Sequence, residues 1–237
     1  MMSAWSYIGD NLERVRERIE AACRRAGRDP REVTLVAVSK TAPPEAIVAA
    51  YRAGVRHFGE NRVEEALPKI ASVREALGCQ GLPAWHMIGH LQSRKARHAV
   101  AAFDIIHSVD SVSLAVELSK RLAPLEKQMP ILLEVNVSGE ESKYGFSPAE
   151  APGAVTQILG LPYLVIRGLM TMAPIVAQPE EARPYFRALR TLRDELAVQF
   201  PRVDWAELSM GMTDDFEPAV EEGATLVRIG RAIFQPR

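Results

Sequence analysis

The sequence predicts a single closed (β/α)8 barrel of the TIM type, preceded by one extra helix and without a C-terminal β-domain. Three observations carry this. Eight short apolar or β-branched runs recur along the chain, the segments between them carry helical patterning, and the length of 237 residues suits one such barrel, which typically has roughly 250 residues. An open, doubly wound sheet is the alternative on pattern alone.

The chain opens on an amphipathic helix. Ile8, Leu12, Val15, Ile19 and Ala22 recur at three- and four-residue spacing with charges between them, and Gly27 followed by Pro30 ends the pattern. The expected strands are residues 33–39, 55–59, 85–89, 105–109, 131–137, 164–170, 203–209 and 225–230. Between them run apolar helical stripes such as Val63, Leu67 and Ile70, or Leu114, Leu118 and Leu122. Strands alternating with helices imply βαβ units and a parallel sheet. Only 7 residues follow Gly230, too few for a full eighth helix, so the helix within residues 1–27 is expected to pack on the barrel and fill that gap. Residues 1–237 thus read as one domain.

Composition narrows the function. The chain is 47% apolar and 25% charged, with a formal net charge of −1, so no basic excess calls for nucleic acid. The cluster Arg94, Lys95, Arg97 and His98 has no interleaved aromatics and reads as a solvated helix face. No apolar run approaches the roughly 18 residues that span a membrane. Charges interrupt the N-terminal segment, which excludes a signal peptide. The two cysteines, Cys23 and Cys79, are expected to be free thiols in a reducing cytoplasm. His86 and His90 are four apart, but the stretch between them reads as strand, where such residues are not neighbours as on a helix, so no metal is expected.

In a parallel barrel the reactive residues sit at the C-terminal ends of the strands. Lys40 follows the apolar run Leu35–Val36–Ala37–Val38. A lysine rising from a packed barrel can be partly desolvated, which would lower its pKa and free the amine to attack a carbonyl; the alternative is a solvated lysine at a strand end. The ends of the last two strands are Leu208–Ser209–Met210–Gly211 and Arg228–Ile229–Gly230–Arg231. Loops after strands 7 and 8, leading into a short helix, are the usual phosphate site of this fold. Lysine and cradle together suggest a phosphorylated carbonyl compound. Arg228, set in an apolar strand, needs a partner, either a structural carboxylate or a ring nitrogen of a cofactor.

Seven segments in register then carry a resemblance. They are Val36–Thr41, Phe58–Asn61, Trp85–Gln92, Asn136–Gly145, Arg167–Thr171, Leu208–Met212 with Asp214 and Asp215, and Val227–Phe234. Through them the chain resembles the YggS/PROSC family of pyridoxal 5'-phosphate (PLP) homeostasis proteins. These look like the N-terminal barrel of alanine racemase, of PLP fold type III, standing alone. The resemblance implies PLP as cofactor, held as an internal aldimine on Lys40. It sets Ser209 and the backbone amides of Gly230 and Arg231 against the phosphate, and Arg228 against the pyridine nitrogen. Asn61 and Met170 fall in motifs that line the cofactor. An arginine cannot accept the ring proton, so carbanion stabilisation should be weak, which suits a carrier.

The resemblance therefore implies intracellular PLP homeostasis or carriage without robust turnover. Its partners would be PLP, amino acids that form external aldimines, and PLP-dependent apoenzymes. A monomer is expected, because the racemase's second domain, which carries its tyrosine base, is missing. Tyr144 could replace that base only by residue type. The alternatives are a racemase-like PLP enzyme, marked by isotope exchange at the substrate α-carbon, and a Schiff-base aldolase, marked by a colourless protein.

Overall fold

A computed structural model describes residues 5–78 and 81–236 of the chain. Cys79 lies outside the described residues. Eight parallel strands close into a barrel in chain order. They are β1 (Thr34–Val38), β2 (His57–Glu60), β3 (Ala84–Met87), β4 (Ile105–Val109), β5 (Met129–Glu134), β6 (Leu164–Met170), β7 (Glu207–Met212) and β8 (Leu226–Ile229). Closure is made by β1, which pairs Val36 with His57 of β2 on one side and Val36 with Arg228 of β8 on the other.

The helices form the outer layer. α1 (Tyr7–Ala26) precedes the barrel, and α2 (Pro44–Arg52), α3 (Val63–Leu77), α4 (Ala96–Ala102), α5 (Val112–Leu122), α6 (Ala151–Leu159), α7 (Arg183–Gln199), α8 (Phe216–Glu221) and α9 (Arg231–Phe234) follow successive strands. Outward strand residues such as Ala37, Phe58, Leu133, Leu169 and Val227 join the helices in one large apolar core. A smaller cluster of Val36, Leu132, Met170 and Leu226 fills part of the barrel interior. Side chains alternate across each strand, which sorts the two sets.

α9 has only four residues, and α1 takes the space beside it. Gly27 ends α1 in the left-handed conformation, where glycine carries no steric penalty. Ile8, Leu12, Val15 and Ile19 are buried. From the same helix the Asn11 side-chain amide donates to the carbonyls of Ile233 and Gln235, at 3.0 and 3.1 Å. The Tyr7 hydroxyl donates to the Phe234 carbonyl at 3.0 Å.

Strand boundaries depart from the sequence expectation most at β7, which begins at Glu207 rather than at residue 203. Val203 and Trp205 do pack against the core, but from a turn in which the Trp205 indole donates to the Phe200 carbonyl at 3.3 Å. Their alternation imitates a strand. β6 carries a bulge, since Ile131 pairs with Ile166 but Leu132 with Gly168. Arg167 is the extra residue, and it reaches outward to Asp204 at 2.7 Å. Gly168 has φ 151°, and a Cβ there would lie 1.8 Å from the Glu207 carbonyl oxygen, so only glycine fits.

No helix of the described residues is long and apolar enough to cross a membrane. Cys23 is buried and unpaired.

Candidate functional site

The strands deliver their last residues to one rim of the barrel. Lys40 stands in the turn after β1 and its residue is exposed. Of the two readings of Lys40, the solvated strand-end lysine is the one built: the buried run ends at Ser39. What the fold does hold is its backbone. The Lys69 ammonium, from α3, donates to the carbonyls of Ser39 at 2.8 Å and Lys40 at 3.4 Å. It also pairs with Glu60 at 2.8 Å, and the Ser39 hydroxyl donates to the same Glu60 oxygen at 2.7 Å. Glu60 is buried, and its second oxygen has no partner among the described residues. The buried ion pair thus pins the peptide from which Lys40 projects.

Beside Lys40 the rim carries Gly230. A Cβ on it would meet the Val38 carbonyl oxygen at 3.0 Å, so the absent side chain lets the ends of β1 and β8 approach. Gly230 leads into α9, and the N–H groups of a helix's first turn have no acceptor within the helix. Arg231 is bonded to Asp214, which ties this turn to the one after β7. Next to it lies a cavity of about 710 Å³ lined by Ala173, Ile175, Asp214, Arg231 and Ala232, among others.

Arg228 projects into the barrel and is buried. Its guanidinium donates to the Ser209 hydroxyl oxygen at 2.6 Å and to the Thr171 carbonyl at 2.9 Å. Among the described residues it makes no carboxylate ion pair. Glu134 and Asp215 act on it only at longer range, and burial lowers its pKa to about 10. Of the two partners that the sequence left open for Arg228, the structural carboxylate is therefore not the one built. Ser209 is fully buried, with Arg228 on one side and His107 on the other. Met170 belongs to the interior cluster with Val36, Leu132 and Leu226. Asn61 is half-buried and lines a separate cleft with Met87, His90 and Gln92. So the structure joins Ser209 and Arg228 directly, brings the ends of β1 and β8 together, and places Asn61 on the β2–β3 side of the rim.

Three features escaped the sequence reading. One is the Lys69–Glu60 clamp, whose partners belong to different elements. Another is Glu134, the last residue of β5. It is buried with one oxygen unpartnered, and burial, reinforced by Asp110 and opposed by Arg228, raises its pKa to about 7. The third is a row of imidazoles inside the barrel: His57, His86 and His107. Inward alternation on β2, β3 and β4 was the available signal for it. His90 instead reaches Asp110 at 2.8 Å and stacks on Tyr144, centroids 3.7 Å apart. No metal-binding group of side chains occurs among the described residues. In the basic cluster, Lys95 pairs with Glu64 and Arg94 bonds Gln92.

Comparison with known proteins adds to this geometry. Residues 11–237 match the family model described as "Alanine racemase, N-terminal domain". The chain is 44% identical over 228 residues to a pyridoxal phosphate homeostasis protein of Aquifex aeolicus, covering 96% of this chain and 97% of the relative. It is 43% identical over 234 residues to the protein of that name from Escherichia coli K12, covering 97% of each. Among solved structures, PipY of Synechococcus elongatus with PLP bound superposes with a TM-score of 0.83 at 40% identity, over 96% of this chain and 99% of that one. The chain belongs to the alanine racemase N-terminal-domain family and, within it, to the pyridoxal phosphate homeostasis proteins.

Proposed function

We propose that this protein binds PLP on Lys40 and serves intracellular PLP homeostasis, as a carrier of the cofactor. The observation that carries this reading is a buried guanidinium, Arg228, that makes no ion pair with a carboxylate among the described residues and lies two residues before Gly230, whose missing side chain admits close approach. A cation so placed suits a neutral ring nitrogen, and the turn suits a phosphate. Lys40, exposed on the same rim, supplies a primary amine.

The residues fit PLP in three places. Lys40 would hold the aldehyde carbon as a Schiff base. The amides of Gly230 and Arg231 would receive the phosphate, whereas Ser209, which the resemblance sets against it, is fully buried and bonded to Arg228 and His107 instead. Arg228 would face the pyridine nitrogen, with Met170 and Asn61 lining the ring's surroundings. When bound, PLP supplies an electron sink, which an unprotonated ring makes weak. This chain's own contribution is to bind and to hold: Lys69 fixes the backbone of Lys40, and Arg228 withholds a proton from the ring. Amino acids and PLP-dependent apoenzymes are the partners such a carrier would meet, and the protein would work as a monomer.

The test is a titration with PLP followed by visible absorbance. Wild type should develop the imine band of a PLP–lysine adduct, and Lys40→Ala should not. A wild type that stays colourless in excess PLP, or a variant that develops the same band, contradicts the reading.

A further inference from the structure

The barrel interior of this protein contains a continuous polar row where a (β/α)8 core is normally apolar. His57 Nδ1 lies 3.0 Å from His86 Nε2, and His86 Nδ1 lies 2.8 Å from His107 Nε2. His107 Nδ1 is 2.8 Å from the Ser209 hydroxyl, which receives Arg228 at 2.6 Å. The row runs from the N-terminal end of β2 across β3 and β4 to the strands that carry Ser209 and Arg228.

Its protons can be assigned from one fixed end. A guanidinium only donates, so the Ser209 oxygen accepts from Arg228. The hydroxyl has a single proton and, among the described residues, one remaining neighbour in the hydrogen-bond network, His107 Nδ1. If that nitrogen carried a hydrogen, the serine proton would be left without an acceptor in a fully buried site, a costly arrangement. The serine therefore donates to Nδ1, and His107 carries its hydrogen on Nε2. The same logic passes along the row: His107 Nε2 donates to His86 Nδ1, and His86 Nε2 donates to His57 Nδ1. With the tautomers so fixed, an imidazolium at His86 would set its Nδ1–H against the Nε2–H of His107, and one at His107 would set its Nδ1–H against the serine O–H. Burial independently keeps His86 and His107 neutral, with His86 lowered to about 3.

We propose that His107, backed by His86 and His57, is a positioning residue for Arg228. The row locks the Ser209 hydroxyl so that its oxygen can only accept, and so holds the guanidinium in place without a carboxylate. This rests on the proposed function for what Arg228 faces, the ring nitrogen of PLP. A carboxylate in the same position would hold Arg228 as firmly but would cancel its charge at the ring. The polarised neutral row leaves that charge intact.

Two measurements on the full chain test the inference. Nitrogen-15 NMR of the imidazoles, with and without PLP, should show His57, His86 and His107 as neutral tautomers protonated on Nε2. A His107 protonated on Nδ1, or on both nitrogens, overturns the assignment, and no variant has to fold for this result. The second is the rate at which the PLP-loaded protein loses PLP to a trapping apoenzyme. His107→Leu should lose it about tenfold faster, because the serine proton loses its acceptor. His107→Asn, whose amide oxygen can replace Nδ1, should stay within about threefold of wild type. Equal rates in the two variants overturn the positioning role. Failure of the PLP reading shows differently, as a wild type that holds no PLP. That result removes the role at the ring, while the tautomers still decide the polarity of the row.

Discussion

Arg228 and Glu134 show how burial sets the chemistry of single residues here. Both lie inside the barrel near its C-terminal rim, and each changes the other's ionisation. The need of Arg228 for a partner could be read from its apolar strand. That the partners are a serine and a backbone carbonyl could not, because they come from β7 and from the residue after β6. The exposure of Lys40 was left open for a related reason: an apolar run fixes the depth of a strand but not the direction of the turn that follows. Glu134 yields a prediction. Its pKa rises from the ordinary 4.5 to about 7 in the folded protein. The folded state therefore binds more protons than the unfolded chain between those values. Stability from this group is present below pH 4.5 and is lost as pH rises through about 7. Glu134→Gln should match wild type near pH 5 and be more stable near pH 8, by roughly 1–3 kcal/mol. Urea denaturation at the two pH values checks this, and equal differences at both would refute it.

At the scale of elements, the pattern was legible wherever one face of an element is buried. β4 and β6 occupy the residues that periodicity assigned to them, and α1 ends at the glycine that marked its stop. β7 was displaced because Val203 and Trp205 reach the core from a turn. The bulge at Gly168 had no sequence signal beyond the glycine itself. α1 lies against the short α9, and the polar contacts between them had no sequence signal. Asn11 is buried and satisfies two carbonyls at the end of the chain. Asn11→Ala leaves both unpaired, and the expected cost is about 1–3 kcal/mol in chemical denaturation. Because those carbonyls belong to α9 and the residue after it, the same variant should bind PLP more weakly in a titration. Unchanged stability and affinity would show that α1 is only a cover.

For the whole molecule, barrel closure was the most legible feature, since eight alternations in one chain leave few topologies. The cofactor site was legible only in part, through motifs that mark strand ends. Alternation marks His57, His86 and His107 as inward on three neighbouring strands, but the link from His107 to Ser209 crosses from β4 to β7, which no local pattern reveals. A ligand held by groups from β1, β7 and β8 should stabilise the barrel as a unit. By mass action the gain is about 2.7 kcal/mol when PLP is at 100 times its dissociation constant. The thermal midpoint should therefore climb steadily with added PLP in wild type and hardly move in Lys40→Ala. The most direct measurement is reductive trapping. The PLP-loaded protein is treated with borohydride, digested, and its peptides weighed. The account predicts one pyridoxyl group, on the peptide that contains Lys40. A label on Lys69, Lys95 or Lys143 instead, or no label at all, would contradict it.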